Sequence, residues 1–262
     1  MKFRAWPTVR FALGMTLASS TVSMAATPCP PPQVTVQGGT SAATTCPAVG
    51  STGAAYTTNF PATENPLSEG GKWVDGKAVG GGWNNPLSAG GKAYASVLSG
   101  ATGNRYDDSV AHLSTSVQAF NANQYAQATV YLVSGYTATS HEVELLLRFS
   151  ISSNNAHGYE ILWGISGYIA VVRWNGAPGS YTAIYDPGVG SIPVPRDGDV
   201  LRAEISGNTI TVQRNGSTVA TVDVTSPGGT VWSSGQPGIG FWPVDGATPK
   251  NYGWKSFEAG NL

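Results

Sequence analysis

The stretch GDVLRAEISGNTITVQRNGSTVATVDVT, Gly198 to Thr225, contains three runs of alternating or β-branched residues. A period of two puts successive side chains on opposite faces of a strand, so each run can bury one side and solvate the other. Between the runs stand Gly207-Asn208 and Asn215-Gly216. Both pairs supply the positive φ that primed two-residue turns require, and the twist of those turns matches the flanking strands. The stretch predicts a three-stranded antiparallel meander.

The same grammar extends on both sides. QATVYLV (Gln127–Val133), EVELLLRF (Glu142–Phe149), GYEILWGI (Gly158–Ile165) and YIAVVRWN (Tyr168–Asn175) read as strands, punctuated by SSNNAHG, WNGAPGS and PRDGD. Turn signals every 8 to 12 residues point to a sandwich or barrel. No segment keeps a 3.6-residue apolar period with caps, so almost no helix is expected.

NPLSEGGKW (Asn65–Trp73) and NPLSAGGKA (Asn85–Ala93) agree at seven of nine positions at a spacing of twenty. A stacked repeat array needs at least three copies, and there is no third. Each copy couples Asn-Pro with Gly-Gly, so each reads as a turn.

Composition organises the rest. Lys2, Arg4 and Arg10 precede an apolar stretch from Phe11 to Val22 and the small-residue site Ser23-Met24-Ala25, the pattern of a signal peptide over 1–25. The expected location is therefore secreted, extracellular or periplasmic. Residues 26–55 are rich in Pro, Thr, Gly and Ala, too poor in large apolar side chains to offset chain entropy, and read as a tail. Cys29 and Cys46 are the only two cysteines, and an oxidising compartment favours their pairing as a disulfide. Residues 56–262 form the expected sandwich. Removing the three basic leader residues leaves 11 of the 14 Lys and Arg against 15 Asp and Glu, a net charge of about −4. That balance disfavours nucleic acid and anionic membranes as partners, and no mature run approaches the ~20 apolar residues of a membrane span.

With GDVLRAEISGNTITVQRNGSTVATVDVT followed by SSGQPGIGFWP, the chain resembles the C-terminal half of concanavalin A-like lectin/glucanase domains, including their laminin G-like bacterial members. TTNF followed by PLSEGGKW resembles the family's opening strand and Trp-bearing turn, and YGWKSFEAG its closing strand. The resemblance implies an all-β, concanavalin A-like antiparallel β-sandwich, or jelly roll, over Ala55 to Leu262. It also implies a Gly-Pro-Gly-Ile-Gly turn before the last strand, and a first strand, near Asn59 and Phe60, lying beside Lys255 to Glu258. Lectins, glycoside hydrolases, polysaccharide lyases and adhesive modules all share this fold, so function rests on the residues themselves.

Three histidines, His112, His141 and His157, restrict metal and nucleophile schemes. HEVEL at His141 lacks the second His of a zinc-protease helix and has strand period. On EVELLLRF, Val143, Leu145, Leu147 and Phe149 form one side, leaving Glu142, Glu144 and Arg148 on the other. Residues two apart on a strand stand about 7 Å apart, which permits the ~5 to 5.5 Å carboxyl separation of retaining glycosidases. The related family 16 hydrolases carry Glu-x-Asp-x-x-Glu there; this chain has Glu142, Glu144 and Leu147, so the third carboxylate is missing. His157, Tyr159, Tyr168, Arg148 and Arg173 supply the residue types of a polysaccharide lyase, but not the order of its motifs.

Sugar binding asks for flat aromatic rings beside a few hydrogen-bonding groups. Trp163 alternates with Glu160 and reads as core, whereas Trp174, beside WNGAPGS, reads as a platform. Asp107 and Asp108, and Asp197 and Asp199, are the acidic loops open to calcium, without a recognisable ligand register. The reading is a secreted carbohydrate-binding sandwich that takes extracellular polysaccharide on the face of Glu142, Glu144, Arg148, Tyr168 and Trp174. The alternatives are a polysaccharide-cleaving enzyme using Glu142 and Glu144 on that face, and an adhesive module without a glycan site.

Overall fold

A computed structural model describes residues 55–77, 79, 82–96, 108–137, 141–177, 179–242 and 249–262. All lie in the compact unit Gly50–Leu262. The leader, most of the tail, Cys29, Cys46 and Asp107 fall outside the described residues.

The first strands are short: β1 (Tyr56–Thr58), β2 (Trp73–Asp75), β3 (Leu87–Ser88), β4 (Ala93–Tyr94) and β5 (Ser109–Leu113). Longer ones follow in β6 (Gln124–Leu132), β7 (Glu142–Ser152), β8 (Asn155–Gly164), β9 (Tyr168–Gly176) and β10 (Tyr181–Tyr185). The meander supplies β11 (Val200–Ser206), β12 (Thr209–Arg214) and β13 (Ser217–Asp223), and β14 (Gln236–Trp242) and β15 (Tyr252–Asn261) complete the chain. Among the described residues the only helical turn is the 3₁₀ segment Pro249–Asn251.

Two antiparallel sheets result. The eight-stranded sheet runs β13-β12-β11-β6-β15-β4-β3, with β1 also on β15; the seven-stranded sheet runs β10-β9-β8-β7-β14-β5-β2. The expected closure onto the last strand is present but falls just before Asn59 and Phe60: Tyr56, Thr57 and Thr58 pair with Ala259, Glu258 and Phe257. The inner faces meet in one apolar core that includes Leu145, Ile161, Trp163, Val212, Trp254 and Phe257. Burying each aromatic among these contributes about 2 to 3 kcal/mol. Trp254 also donates its indole N–H to the backbone carbonyl of Glu144 at 3.2 Å, fixing one sheet against the other.

Two expectations need correction. Gln236–Trp242, read as a turn, is a buried strand between β7 and β5. Its glycines answer crowding rather than turning: a Cβ on Gly240 would run into Glu144 Oε2, and one on Gly238 would lie 2.7 Å from His112 Cα. The alternation of β7 also fails beyond Leu147. Arg148 has φ of 48° and the register to β8 shifts between Leu147 and Ser150, a β-bulge. Val143, Leu145 and Leu147 reach the core, while Phe149 is buried outside it.

The duplicated turns bind each other. Glu64 and Ser88 form an antiparallel bridge, Leu67 N–H donates to Pro86 O at 2.8 Å, and Asn85 Nδ2 donates to Asn65 Oδ1 at 3.1 Å.

Candidate functional site

The outer face of the seven-stranded sheet is assembled row by row from strand register. One row reads Trp242, Glu142, Gly164, Tyr168; the next reads Val110, Gly240, Glu144, Leu162, Ala170. A third reads Val74, His112, Gly238, Leu146, Glu160, Val172. Residues paired across strands share a face, so three carboxylates from β7 and β8 stand together on the side away from the core.

They are not solvated. Glu142 and Glu144 are 0% exposed and Glu160 is 1% exposed. A carboxylate taken out of water needs compensating hydrogen bonds, and aromatic donors on the same face provide them. Tyr168 donates its hydroxyl to Glu142 Oε1, and Trp174 donates its indole N–H to Glu160 Oε2. Small residues make room: Gly164 lies under the ring of Tyr168, where a Cβ would clash, and Gly240 lies under the Glu144 carboxylate.

Trp174 is itself covered. Trp83 meets it edge-on at 5.4 Å and Tyr181 packs on it at 5.5 Å, leaving it 1% exposed, so the expected open platform is a buried hydrogen-bond donor. At the end of the face, Trp242 is half-buried and directly opposite Glu142, while Tyr168 stands two strands away across Gly164.

Electrostatics follow from this burial. The Tyr252 phenol is pushed well above its usual range, first by burial and then by the field of Tyr136, Glu144, Glu142 and Asp108. His112 is pushed below its usual value by burial, which favours the neutral ring. Its Nδ1 lies 2.8 Å from Leu113 O, so Nδ1 carries the proton and Nε2 is left as the acceptor.

Arg148 stands apart from the acids. Its guanidinium donates to the carbonyls of Ala122 at 2.6 Å, Trp232 at 2.9 Å and Gly207 at 2.8 Å. It ties three loops together at one end of the sandwich. The bulge explains the separation, because a residue at φ 48° leaves the face its sequence parity assigns.

Asp197 is engaged by Lys255 at 2.7 Å and by the Leu132 N–H at 3.0 Å. Asp199 is engaged by Arg214 at 2.7 Å and Asn215 at 2.8 Å. Both act as loop clasps. Asp108 is fully buried, and among the described residues no group of three or more His, Cys, Asp or Glu gathers at metal-binding range.

Of the five residues expected at the site, the structure brings Glu142, Glu144 and Tyr168 onto one face, joins Trp174 to them through Glu160, and places Arg148 elsewhere. Glu160 could have been found by period two on GYEILWGI, since it opposes the core residue Trp163. Trp83 sits on irregular backbone and had no such signal.

No protein-family model and no characterised protein matches the sequence. Solved structures do. A carbohydrate-binding module, CBM66 from Bacillus subtilis, aligns over 74% of this chain and 96% of its own at 15% identity and TM-score 0.43. The carbohydrate recognition domain of Emp46p aligns over 79% and 96% at 11% identity and TM-score 0.48. The architecture shown by the strand order is a two-sheet antiparallel β-sandwich. The β-porphyranase BpGH16B from the human gut bacterium Bacteroides plebeius aligns over 78% and 89% at 12% identity and TM-score 0.43.

Proposed function

We propose that this protein is a secreted, non-catalytic carbohydrate-binding sandwich for an extracellular polysaccharide, with its ligand at the Trp242–Glu142–Gly164–Tyr168 end of the seven-stranded sheet. The observation that supports this reading is that one row sets a carboxylate between two aromatic side chains, with a glycine keeping the row low. The half-buried Trp242 supplies an apolar ring face for pyranose C–H groups, and the buried carboxylate of Glu142 holds the Tyr168 hydroxyl on the same row.

Glycan-array screening followed by titration calorimetry tests this. Trp242→Ala and the milder Trp242→Leu are expected to weaken binding, the first by about 1 to 3 kcal/mol, while the far-ultraviolet circular dichroism and the urea midpoint stay close to those of the parent. Native protein that binds no glycan, or variants that bind as well as the parent, would overturn it.

A second reading is favoured by one observation: Glu142 and Glu144 lie two apart on one face of β7, about 7 Å apart at Cα, which permits the ~5 to 5.5 Å carboxyl separation of a retaining glycosidase. Glu144→Gln separates the two. A glycosidase loses at least about 100-fold in turnover with its affinity intact, because an amide neither donates the catalytic proton nor attacks. A binder shows no release of reducing ends before or after the change.

A further inference from the structure

The solvent face of the eight-stranded sheet is laid out differently. Register links Thr57 to Glu258, Glu258 to Gln127, Gln127 to Arg202 and Arg202 to Gln213. Directly opposed residues share a face, so β1, β15, β6, β11 and β12 each give one polar side chain to a single row. None of the five is buried. Adjacent strands are about 4.8 Å apart, so the row presents one hydrogen-bonding group at each step over roughly 19 Å.

At the β1 end the row opens into a hollow of about 350 Å³ lined by Thr57, Thr58, Asn59, Gln127, Ser256, Phe257 and Glu258. Among the described residues the Thr57 hydroxyl and the Asn59 and Gln127 amides make no hydrogen bond. Glu258 commits one oxygen, to the Tyr125 hydroxyl at 2.8 Å. Donors and acceptors with spare capacity therefore converge on a space large enough for a small ligand.

Charge narrows the occupant. Arg202, the one cation of the row, is held by Glu204 at 2.6 Å and sits over the Tyr125 ring with its guanidinium carbon 3.7 Å from the ring centroid. Glu258 lines a hollow whose lining residues include no Lys or Arg. Polyanions such as nucleic acid, sulfated glycans and polyuronates meet repulsion from Glu258 at the hollow. A neutral, hydroxyl-bearing chain meets amide, hydroxyl, carboxylate and a planar guanidinium in turn. The advance per residue of an extended β-linked pyranose chain is close to the strand spacing, so successive sugars meet successive strands.

We infer that this row is a second carbohydrate track, which takes an extended neutral polysaccharide laid across the strands of the eight-stranded sheet. It stands independently of the site at Trp242 and Tyr168, and with both occupied the molecule bridges two chains.

The test uses ¹⁵N-labelled full-length protein titrated with cellohexaose, xylohexaose, cellobiose and a hexamer of galacturonate. At least one neutral hexaose is expected to shift the side-chain amide signals of Gln127 and Gln213 together, with cellobiose at least about 10-fold weaker because it spans fewer strands. The double variant Gln127→Ala/Gln213→Ala, and separately Thr57→Ala, should weaken that hexaose at least about 5-fold, whereas Trp242→Ala leaves these amide shifts in place. The inference is overturned if no neutral hexaose moves either amide, if the galacturonate hexamer moves them equally, or if the folded variants bind unchanged.

Discussion

The two outer faces of this sandwich solve opposite problems with the same backbone. On the seven-stranded sheet Glu142, Glu144 and Glu160 are buried, with Glu142 and Glu160 bonded by Tyr168 and Trp174, and the face holds them only because glycines vacate the space. On the eight-stranded sheet Glu258, Gln127, Arg202 and Gln213 remain in contact with water, and their spacing is set by strand register alone. A buried polar face is committed to its own partners and tolerates little change; a solvated one keeps its bonding capacity for something else. Charged residues mark both faces, so charge alone does not distinguish a site from a scaffold.

Substitutions should expose this contrast most strongly where backbone crowds backbone. Gly238→Ala places a Cβ 2.7 Å from His112 Cα and is expected to cost about 3 kcal/mol or more in urea unfolding. A cost under 1 kcal/mol would show that the seven-stranded sheet is loosely packed and would break the comparison.

Next comes Arg148→Ala, which strands the carbonyls of Ala122, Trp232 and Gly207 and is expected to cost about 2 to 3 kcal/mol at the same glycan affinity. Affinity lost without stability would return Arg148 to the binding site.

Acid should act through Asp199. Burial pushes its carboxyl up, but hydrogen bonds from Asn215, the Arg196 N–H and Arg214 prevail and hold it below the usual value. A depressed pKa contributes stability above the unfolded value, near 3.9, and that contribution is lost as pH falls through the folded one. Asp199→Asn should therefore cost about 1 kcal/mol at pH 7 and flatten the fall in stability below about pH 4, as read from urea midpoints against pH. Smallest of all, Arg202→Gln on the solvated sheet should stay within about 0.5 kcal/mol.

The meander Gly198 to Thr225 was legible because its chemistry is local: period two and two turn dipeptides fixed β11, β12 and β13 almost to the residue. Closure of β1 onto β15 was legible through the resemblance. QPGIGFW was not, since its glycines look like a turn until the Glu144 carboxylate and the β5 backbone are seen pressed against them. Parity along β7 placed Glu142 and Glu144 correctly and failed at Arg148, because a bulge is a tertiary decision that leaves no mark in EVELLLRF. Solvation was the largest misjudgement. Alternation says which side a glutamate takes, but not what lies over it.

The burial of Trp174 against Glu160, Trp83 and Tyr181 has an optical consequence. The outer face of the seven-stranded sheet carries Trp174 on β9, covered by Trp83, and Trp242 at the end of β14, whereas the polar row on the other sheet has no tryptophan. Intrinsic emission should thus answer more strongly to events on the seven-stranded side than to those on the polar row, where the indole of Trp73 sits behind Phe257. An unlabelled sample would tell an observer which side a sugar has touched.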